Sequence, residues 1–464
     1  MWLIDLNNKN TKQKKKEFIK RKVKNIKNKN SKNNYNFNKK NFKKERIKNI
    51  SKKTLRACYS DFGIFAGRKH FNQYWVRDSM FSSLGALTLN DIFIVKKNLD
   101  LFHNSITKEG SLPLRIGDKN FTSKYVSLFL KRLTNIITIK FFKKKIFSLK
   151  TLFKNEKVYY DDKTLSKIVD SNSLFIILNV IFDFYMKEKY KENYLDKKKL
   201  ENLNLVFEYQ KKYLTKFGLI YQKEYSDWAD SIKKVGYGIY ANSLYYASAK
   251  SLEALYSKKE YYDKNKKEYY KNLALEIKEL INSNLYNKEK KYYYDFVNEH
   301  YREDNFNVEG NFLTILFNIV DKKQKENIFL HVTKEDRILE ETGINIHPNY
   351  DSSLEDYRLK LIGLGKYHNG FRWLWISGLK LYVNREKNNS KKIKEYIENK
   401  ILNSIYSLLF IKNKEEYISE VYYKNKPFKN IFYESETPFA WSAGMLLLGL
   451  EENKLLNRIL KKIF

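Results

Sequence analysis

Six times along this chain a polar or turn-forming residue introduces a helix with almost no polar face. Asp78 leads Ser-Met-Phe-Ser-Ser-Leu-Gly-Ala-Leu, Asp170 leads Ser-Asn-Ser-Leu-Phe-Ile-Ile-Leu-Asn-Val, and Asn242 leads Ser-Leu-Tyr-Tyr-Ala-Ser-Ala. Gly310-Asn311, Asn369-Gly370 and Thr437-Pro438 open the others. Asp and Asn side chains accept from the exposed first-turn amides, and proline suits the first helical position. Between these starts lie helices that are apolar on one stripe only. Ile92, Val95, Leu99 and Phe102 share a face, as do Leu273, Ile277 and Leu280. A helix apolar all round has to be buried, whereas a one-sided helix faces water. Alternation of the two kinds predicts an all-α fold, an (α/α)6 barrel: a closed toroid of six helical hairpins with the apolar helices inside. The alternative is an open helical solenoid, but no fixed-period repeat supports it. Strand signals are few; Lys291–Val297 reads as one short strand.

Charge is distributed unevenly over this pattern. The formal net charge is +37, and residues 8–53 hold 20 Lys/Arg against two acids, Glu17 and Glu45. That segment is Asn-rich and lacks sustained apolar spacing, so residues 1–53 read as a disordered basic tail and 54–464 as the folded domain. The excess fits non-specific contact with a polyanion through residues 8–53, or a compositional drift towards Lys, Asn, Ile, Tyr and Phe. A basic, aromatic stretch around 118–160 reads as an insertion over the barrel mouth, or as an amphipathic helix with its stripe buried. A single cysteine, Cys58, fits a reducing compartment. The opening residues are too short for a signal peptide's apolar region, and no run suffices for a membrane span, so a cytoplasmic protein is expected.

The rare residues point to one end of the toroid. Trp75, Trp228, Trp373, Trp375 and Trp441 lie within or beside the inner-helix starts, and all four prolines lie in the loops before such starts. Those loops gather at one mouth, so an aromatic-lined cleft is expected there. Arg77 and Asp78 offer an adjacent donor and acceptor suited to neighbouring sugar hydroxyls, although Asp78 also suits a helix cap. Tyr367-His368-Asn369-Gly370-Phe371-Arg372-Trp373 collects donors, acceptors and rings, and His368 is equally readable as a structural histidine. Asp227 and Asp230 flank Trp228; a ring packed on a sugar lowers the local dielectric and lets an acid keep its proton. Ahead of the last inner helix stand Glu420, Glu434 and Glu436. No His/Cys cluster has metal spacing, and neither a phosphate-cradling loop nor a nucleophilic triad is present, so neither metal nor cofactor is expected. Carboxylates from different loops across a Trp-lined cleft suit glycoside hydrolysis.

The order Tyr74-Trp75-Val76-Arg77-Asp78, Gly110-Ser111-Leu112-Pro113, Val169-Asp170-Ser171, Asp227-Trp228-Ala229-Asp230, Tyr367-His368-Asn369-Gly370, Ser419-Glu420-Val421-Tyr422 and Ala440-Trp441-Ser442 resembles the (α/α)6-barrel inverting glycosidases. It is most similar to the catalytic domain of amylo-α-1,6-glucosidases (glycogen debranching enzymes) and to neutral/alkaline invertases, over residues 55 to 450. The resemblance implies inverting hydrolysis of an α-glucosidic bond in an oligosaccharide or glucan, with sucrose as the runner-up substrate. It matches Asp230 to the general acid of a Trp-Met-Asp motif and Glu420 to the general base. It matches Arg77 and Asp78 to the pair holding the terminal sugar and Tyr367–Gly370 to the pocket loop. Asp170, Asp227 and Trp441, within the quoted motifs, are further substrate-binding candidates.

Three departures stand against that likeness. Ser231-Ile232 replaces the invertases' two arginines, Trp373-Leu374 replaces Trp-Pro, and the chain has no room for the debranching enzymes' transferase domain. The catalytic carboxyls are then expected about 6.5–9.5 Å apart. Trp228 should crowd Asp230 and keep it protonated, while Ser419 and neighbouring tyrosines hydrogen-bond an ionised Glu420. The rival classes are a sugar-binding protein without the chemistry and a polyanion-binding protein working through its tail.

Overall fold

The computed structural model describes residues 40–118, 156–159 and 168–464. Residues 1–39 and the interior of the expected insertion lie outside them. The chain forms two units, residues 1–47 and 48–464. In the first, residues 40–47 are helical. The second holds the barrel.

Within that unit, residues 48–57 form helix α1. The inner helices are α2 (Val76–Thr88), α4 (Ser171–Tyr190), α6 (Ile239–Tyr256), α8 (Val308–Leu316), α10 (Leu374–Lys387) and α12 (Ala440–Leu450). Each packs on the next, and α12 returns to α2, so the ring closes. Every residue of α12 is buried, as an all-round apolar helix requires. Closure depends on missing side chains. A Cβ on Gly85 of α2 would lie 2.3 Å from the Gly444 Cα of α12, and one on Gly378 of α10 would lie 2.2 Å from the Met445 carbonyl oxygen. The outer helices are α3 (Ile92–His103), α5 (Lys197–Leu214), α7 (Lys264–Asn284), α9 (Lys322–Lys334) and α11 (Lys391–Tyr406). They show the expected single stripe: α7 buries Tyr270, Ala274, Ile277 and Ile281 and leaves Lys264, Lys266 and Lys271 exposed.

The sixth outer helix is α1, which corrects the tail boundary expected at residue 53. Ile50, Ser51, Thr54 and Leu55 are buried, Lys48 pairs with Glu451 at 3.0 Å, and the Thr54 hydroxyl accepts from the Ile418 amide at 2.9 Å. Those contacts lay α1 alongside α12. Its apolar stripe is short and includes Ser and Thr, so the surrounding Lys and Asn hide it from a reading based on hydrophobic spacing. The C-terminal helix α13 (Lys454–Ile463) is not the partner of α12; it packs across α4 and α6.

Short strands dress the mouth. Tyr74–Trp75, Arg115–Asp118 and Glu156–Tyr159 form an antiparallel sheet, with Arg115 opposite Tyr159 and Asp118 opposite Glu156. The two ends of the insertion are therefore paired. The stretch read as one strand is two, Tyr292–Tyr293 and Phe296–Val297, pairing with different partners. Asp295 at the break turns its carboxylate inward to Lys234, 3.3 Å away. Among the described residues no helix is long and apolar enough to cross a membrane.

Candidate active site

The charged groups of interest collect where the inner helices begin. Asp78 lies in the first turn of α2, Asp170 precedes α4, and Glu309 is in the first turn of α8. The segments 226–236, 367–373 and 418–439 lead into α6, α10 and α12. Helix N-termini carry exposed amides and a partial positive charge, so carboxylates are favoured there.

Arg77 and Asp170 form a buried two-pronged pair, Arg77 Nε donating to Oδ2 at 2.6 Å and Nη2 to Oδ1 at 3.2 Å. Burial opposes the charge on Arg77, but the Asp170 carboxylate outweighs it and holds the guanidinium above its ordinary value. The N-cap position of α4 thus gives its carboxylate to an arginine rather than to its own helix. Asp78 differs. Burial pushes its carboxyl up to about 7, Arg77 opposes, and the charges of Glu420 and Asp170 push it further.

Residues 225–232 are buried with one exception, Asp230, whose side chain is 42% exposed. Its neighbours are pinned. Asp227 accepts from the Ala229 amide at 2.8 Å and pairs with buried Lys234 at 3.3 Å. Lys234 in turn meets Asp295, which accepts from the Tyr350 hydroxyl at 2.6 Å. The Trp228 indole donates to Glu309 Oε1 at 2.8 Å, and the Ser231 hydroxyl lies 2.8 Å from His368 Nδ1. The segment is a rigid mount that presents one carboxyl outward.

Glu420 is fully buried. The hydroxyls of Tyr367 and Tyr433 donate to its two oxygens, and the Glu436 amide donates at 3.0 Å. Burial raises its pKa; a nearby His70 charge and the tyrosine bonds work the other way. Tyr367 and His368 connect the two candidate carboxyls. Tyr367 touches Glu420, while His368 Nδ1 lies 3.9 Å from Asp230 Oδ1. Burial, with the charges of Lys234 and Arg77, drives the His368 pKa well below its ordinary value, so the ring is neutral.

Against this geometry, a sequence profile of the family described as amylo-alpha-1,6-glucosidase matches residues 50–448. The chain belongs to the amylo-alpha-1,6-glucosidase family. It is a glycoside hydrolase. Among solved structures, this family member is similar to a rhamnosidase from Klebsiella oxytoca with rhamnose bound (TM-score 0.57, 11% identity, 87% of this chain and 63% of that one). It is likewise similar to a glycosidase in complex with glucose (TM-score 0.55, 10% identity, 90% and 97%). A third is the GH63 mannosylglycerate hydrolase from Thermus thermophilus in complex with Tris (TM-score 0.56, 10% identity, 87% and 99%). At such identities the likeness establishes the fold, and the chain spans less than two thirds of the rhamnosidase's length. No curated protein sequence matches the chain significantly.

Several residues expected to touch sugar are buried or engaged in internal contacts in this family member. Trp228, Trp373 and Trp441 are buried and, with Trp375, make a floor rather than exposed platforms. Trp375 and Trp441 stack at 4.8 Å, and Trp228 stands edge-on to both, at 4.9 and 5.8 Å. Arg372 points away from the mouth, donating to the Thr342 carbonyl, Asn425 and the Ser404 hydroxyl of α11. Asn369 braces the loop, bonding both backbone groups of Tyr350 and Glu355 Oε1. Trp75 is half-buried with the Arg115 guanidinium 5.0 Å over its ring. The tyrosines on Glu420 are Tyr367 and Tyr433 rather than its sequence neighbours; Tyr422 accepts from the Ser419 amide instead.

Of the rival bases, Glu434 is half-exposed and pairs with Lys429 at 3.1 Å. Glu436 accepts from the amides of Arg68, Lys69 and His70 at 2.6–2.9 Å and from His70 Nδ1 at 2.7 Å. Against burial, His70 and those amides hold its carboxylate below the ordinary range, so it serves as a clamp on the 67–71 turn. Tyr433, Lys234 and Glu309 were not singled out by the sequence reading. Glu309 carried a usable signal, a lone acid inside the apolar helix opening Val308-Glu309-Gly310-Asn311-Phe312.

Proposed function

We propose that this glycoside hydrolase cleaves an α-glucosidic bond of an oligosaccharide or glucan with inversion, Asp230 acting as general acid and Glu420 as general base. The observation that carries this reading is the joint placement of the two carboxyls on Tyr367 and His368, with Asp230 the exposed side chain in a buried mount. Asp230 protonates the glycosidic oxygen as the bond breaks, while Glu420 takes a proton from water attacking the opposite face of the sugar. Burial makes Glu420 a stronger base than a solvated glutamate, and two tyrosine hydroxyls steady the charge it carries before accepting that proton. Because Arg77 is committed to Asp170, the contact with sugar hydroxyls falls to Asp78.

The test is turnover of isomaltose, maltose, short branched glucans and α-glucosyl fluoride, with the product anomer read by NMR. Release of β-glucose is expected. Asp230→Asn and Glu420→Gln should each keep the fold and cost on the order of a thousandfold or more on the oligosaccharides, since each removes a proton-transfer step. Fluoride departs with little proton assistance, so Asp230→Asn should lose far less on α-glucosyl fluoride. Release of α-glucose, or an active Glu420→Gln beside a dead Glu436→Gln in folded protein, overturns the assignment.

A further inference from the structure

The exposed acid depends on side chains that hold its neighbours, and one of those has no role in the chemistry above. Glu309 is fully buried. Its Oε1 accepts from Trp228 Nε1 at 2.8 Å and from Asn307 Nδ2 at 2.9 Å. Asn307 is fixed in turn, because its Oδ1 caps α8 by accepting from the Gly310 amide at 2.6 Å. A carboxyl built into the start of an inner helix therefore grips the indole of a residue two positions before Asp230. The ring itself fits between Trp375, Trp441 and His368, all edge-on to it at 4.9–5.8 Å. Packing of that kind leaves the ring few orientations, and the bond to Glu309 selects among them. We propose that Glu309 is a positioning residue for the general acid: through the Trp228 indole it sets the orientation of the segment that carries Asp230. The proposal rests on the reading of Asp230 given above.

Local charge defines the state in which Glu309 does this. Lys234 already faces Asp227 and Asp295, each at 3.3 Å, so a further anion beside them would be left unmatched. Burial pushes the Glu309 carboxyl up to about 8, with Lys234 opposing and Asp295 reinforcing. Its Oε2 has no hydrogen-bond partner among the described residues. A neutral carboxyl accepting on Oε1 alone meets all three conditions. A glutamine has the same shape, is neutral and keeps the acceptor, so it replaces Glu309 in this role. A leucine does not.

The experiment uses the full chain with Glu309→Gln and Glu309→Leu. The indole N–H resonance of Trp228, assigned through Trp228→Phe, reports the grip directly. Glu309→Leu is expected to move that resonance and to lower kcat on isomaltose by about a hundredfold, the scale of a 1 Å misplacement of a catalytic group. KM should change little, and the loss on α-glucosyl fluoride should be much smaller, because the defect lies in delivering the proton. Glu309→Gln should restore both the resonance and kcat to within about threefold of wild type, since it leaves the acid's placement intact. With an active wild type, Glu309→Leu that moves neither the resonance nor kcat overturns the role. So does equal loss on both substrates, which marks general damage. Glu309→Gln as inactive as Asp230→Asn, with the resonance in place, would make Glu309 itself the proton donor. A folded wild type that turns over none of the substrates overturns the hydrolysis reading and the positioning role with it.

Discussion

Carboxyl groups at the mouth of this barrel share burial yet differ in charge, because their hydrogen-bond donors differ. Glu436 sits among backbone amides and is held ionised; Asp78 has mainly Arg77 against its burial and rises to about 7. A carboxyl whose pKa is higher folded than unfolded favours folding while protonated in both states, and that benefit is lost as pH climbs through the folded value. Asp78 thus weighs against the fold progressively from about pH 4, its unfolded value, to about pH 7, with an upper bound of about 4 kcal/mol. Asp78→Asn should therefore gain thermal stability over wild type at pH 8 and little or none at pH 4, while losing hydrolysis. Melting curves at the two pH values check it, and a gain confined to low pH contradicts the assignment. Stability given up at this position is what an active site is expected to cost.

Close helix approach gives the element scale its prediction. In an ordinary helix interior, Gly→Ala stabilises by about 0.5–1 kcal/mol. At Gly85 the sign should reverse, since the new methyl meets the α12 backbone at Gly444 and overpacking costs about 1–3 kcal/mol. Thermal unfolding of Gly85→Ala reads the sign. The six inner helices were legible in the sequence because burial on all sides leaves a long apolar run, and each begins within a few residues of the expected start. Helix α1 was not, since a stripe of Ile50, Ser51, Thr54 and Leu55 among lysines carries little hydrophobic contrast. For the site, position along the chain was legible and orientation was not. Arg372 lies in the expected loop yet turns to Ser404 and Asn425, partners that only tertiary packing supplies. The tryptophans do mark the mouth, but as its floor. Tyr433 reaches Glu420 from a loop with no distinguishing pattern.

At the scale of the whole molecule, the N-terminal boundary of the catalytic unit can be checked by truncation. A chain beginning at residue 54 lacks most of α1, including Ile50, Ser51 and the Lys48–Glu451 pair, and should melt well below one beginning at residue 40. The chain beginning at residue 40 should keep hydrolysis while losing most retention on an immobilised polyanion, since most of the basic 8–53 segment is gone; equal melting temperatures contradict the placement of α1. The clamp at Glu436 carries a further consequence, one of timing. Its carboxylate takes amides that lie 365–368 residues earlier in the chain, and the same region joins α12 to α2. Contacts of such sequence separation are won late, after the entropy of closing the intervening loop has been overcome. A chain still being synthesised holds Arg77, Asp78 and Asp230 long before Glu420 and the clamp exist. With Glu420 as the proposed base, hydrolytic competence is expected only once the last inner helix has packed between α10 and α2.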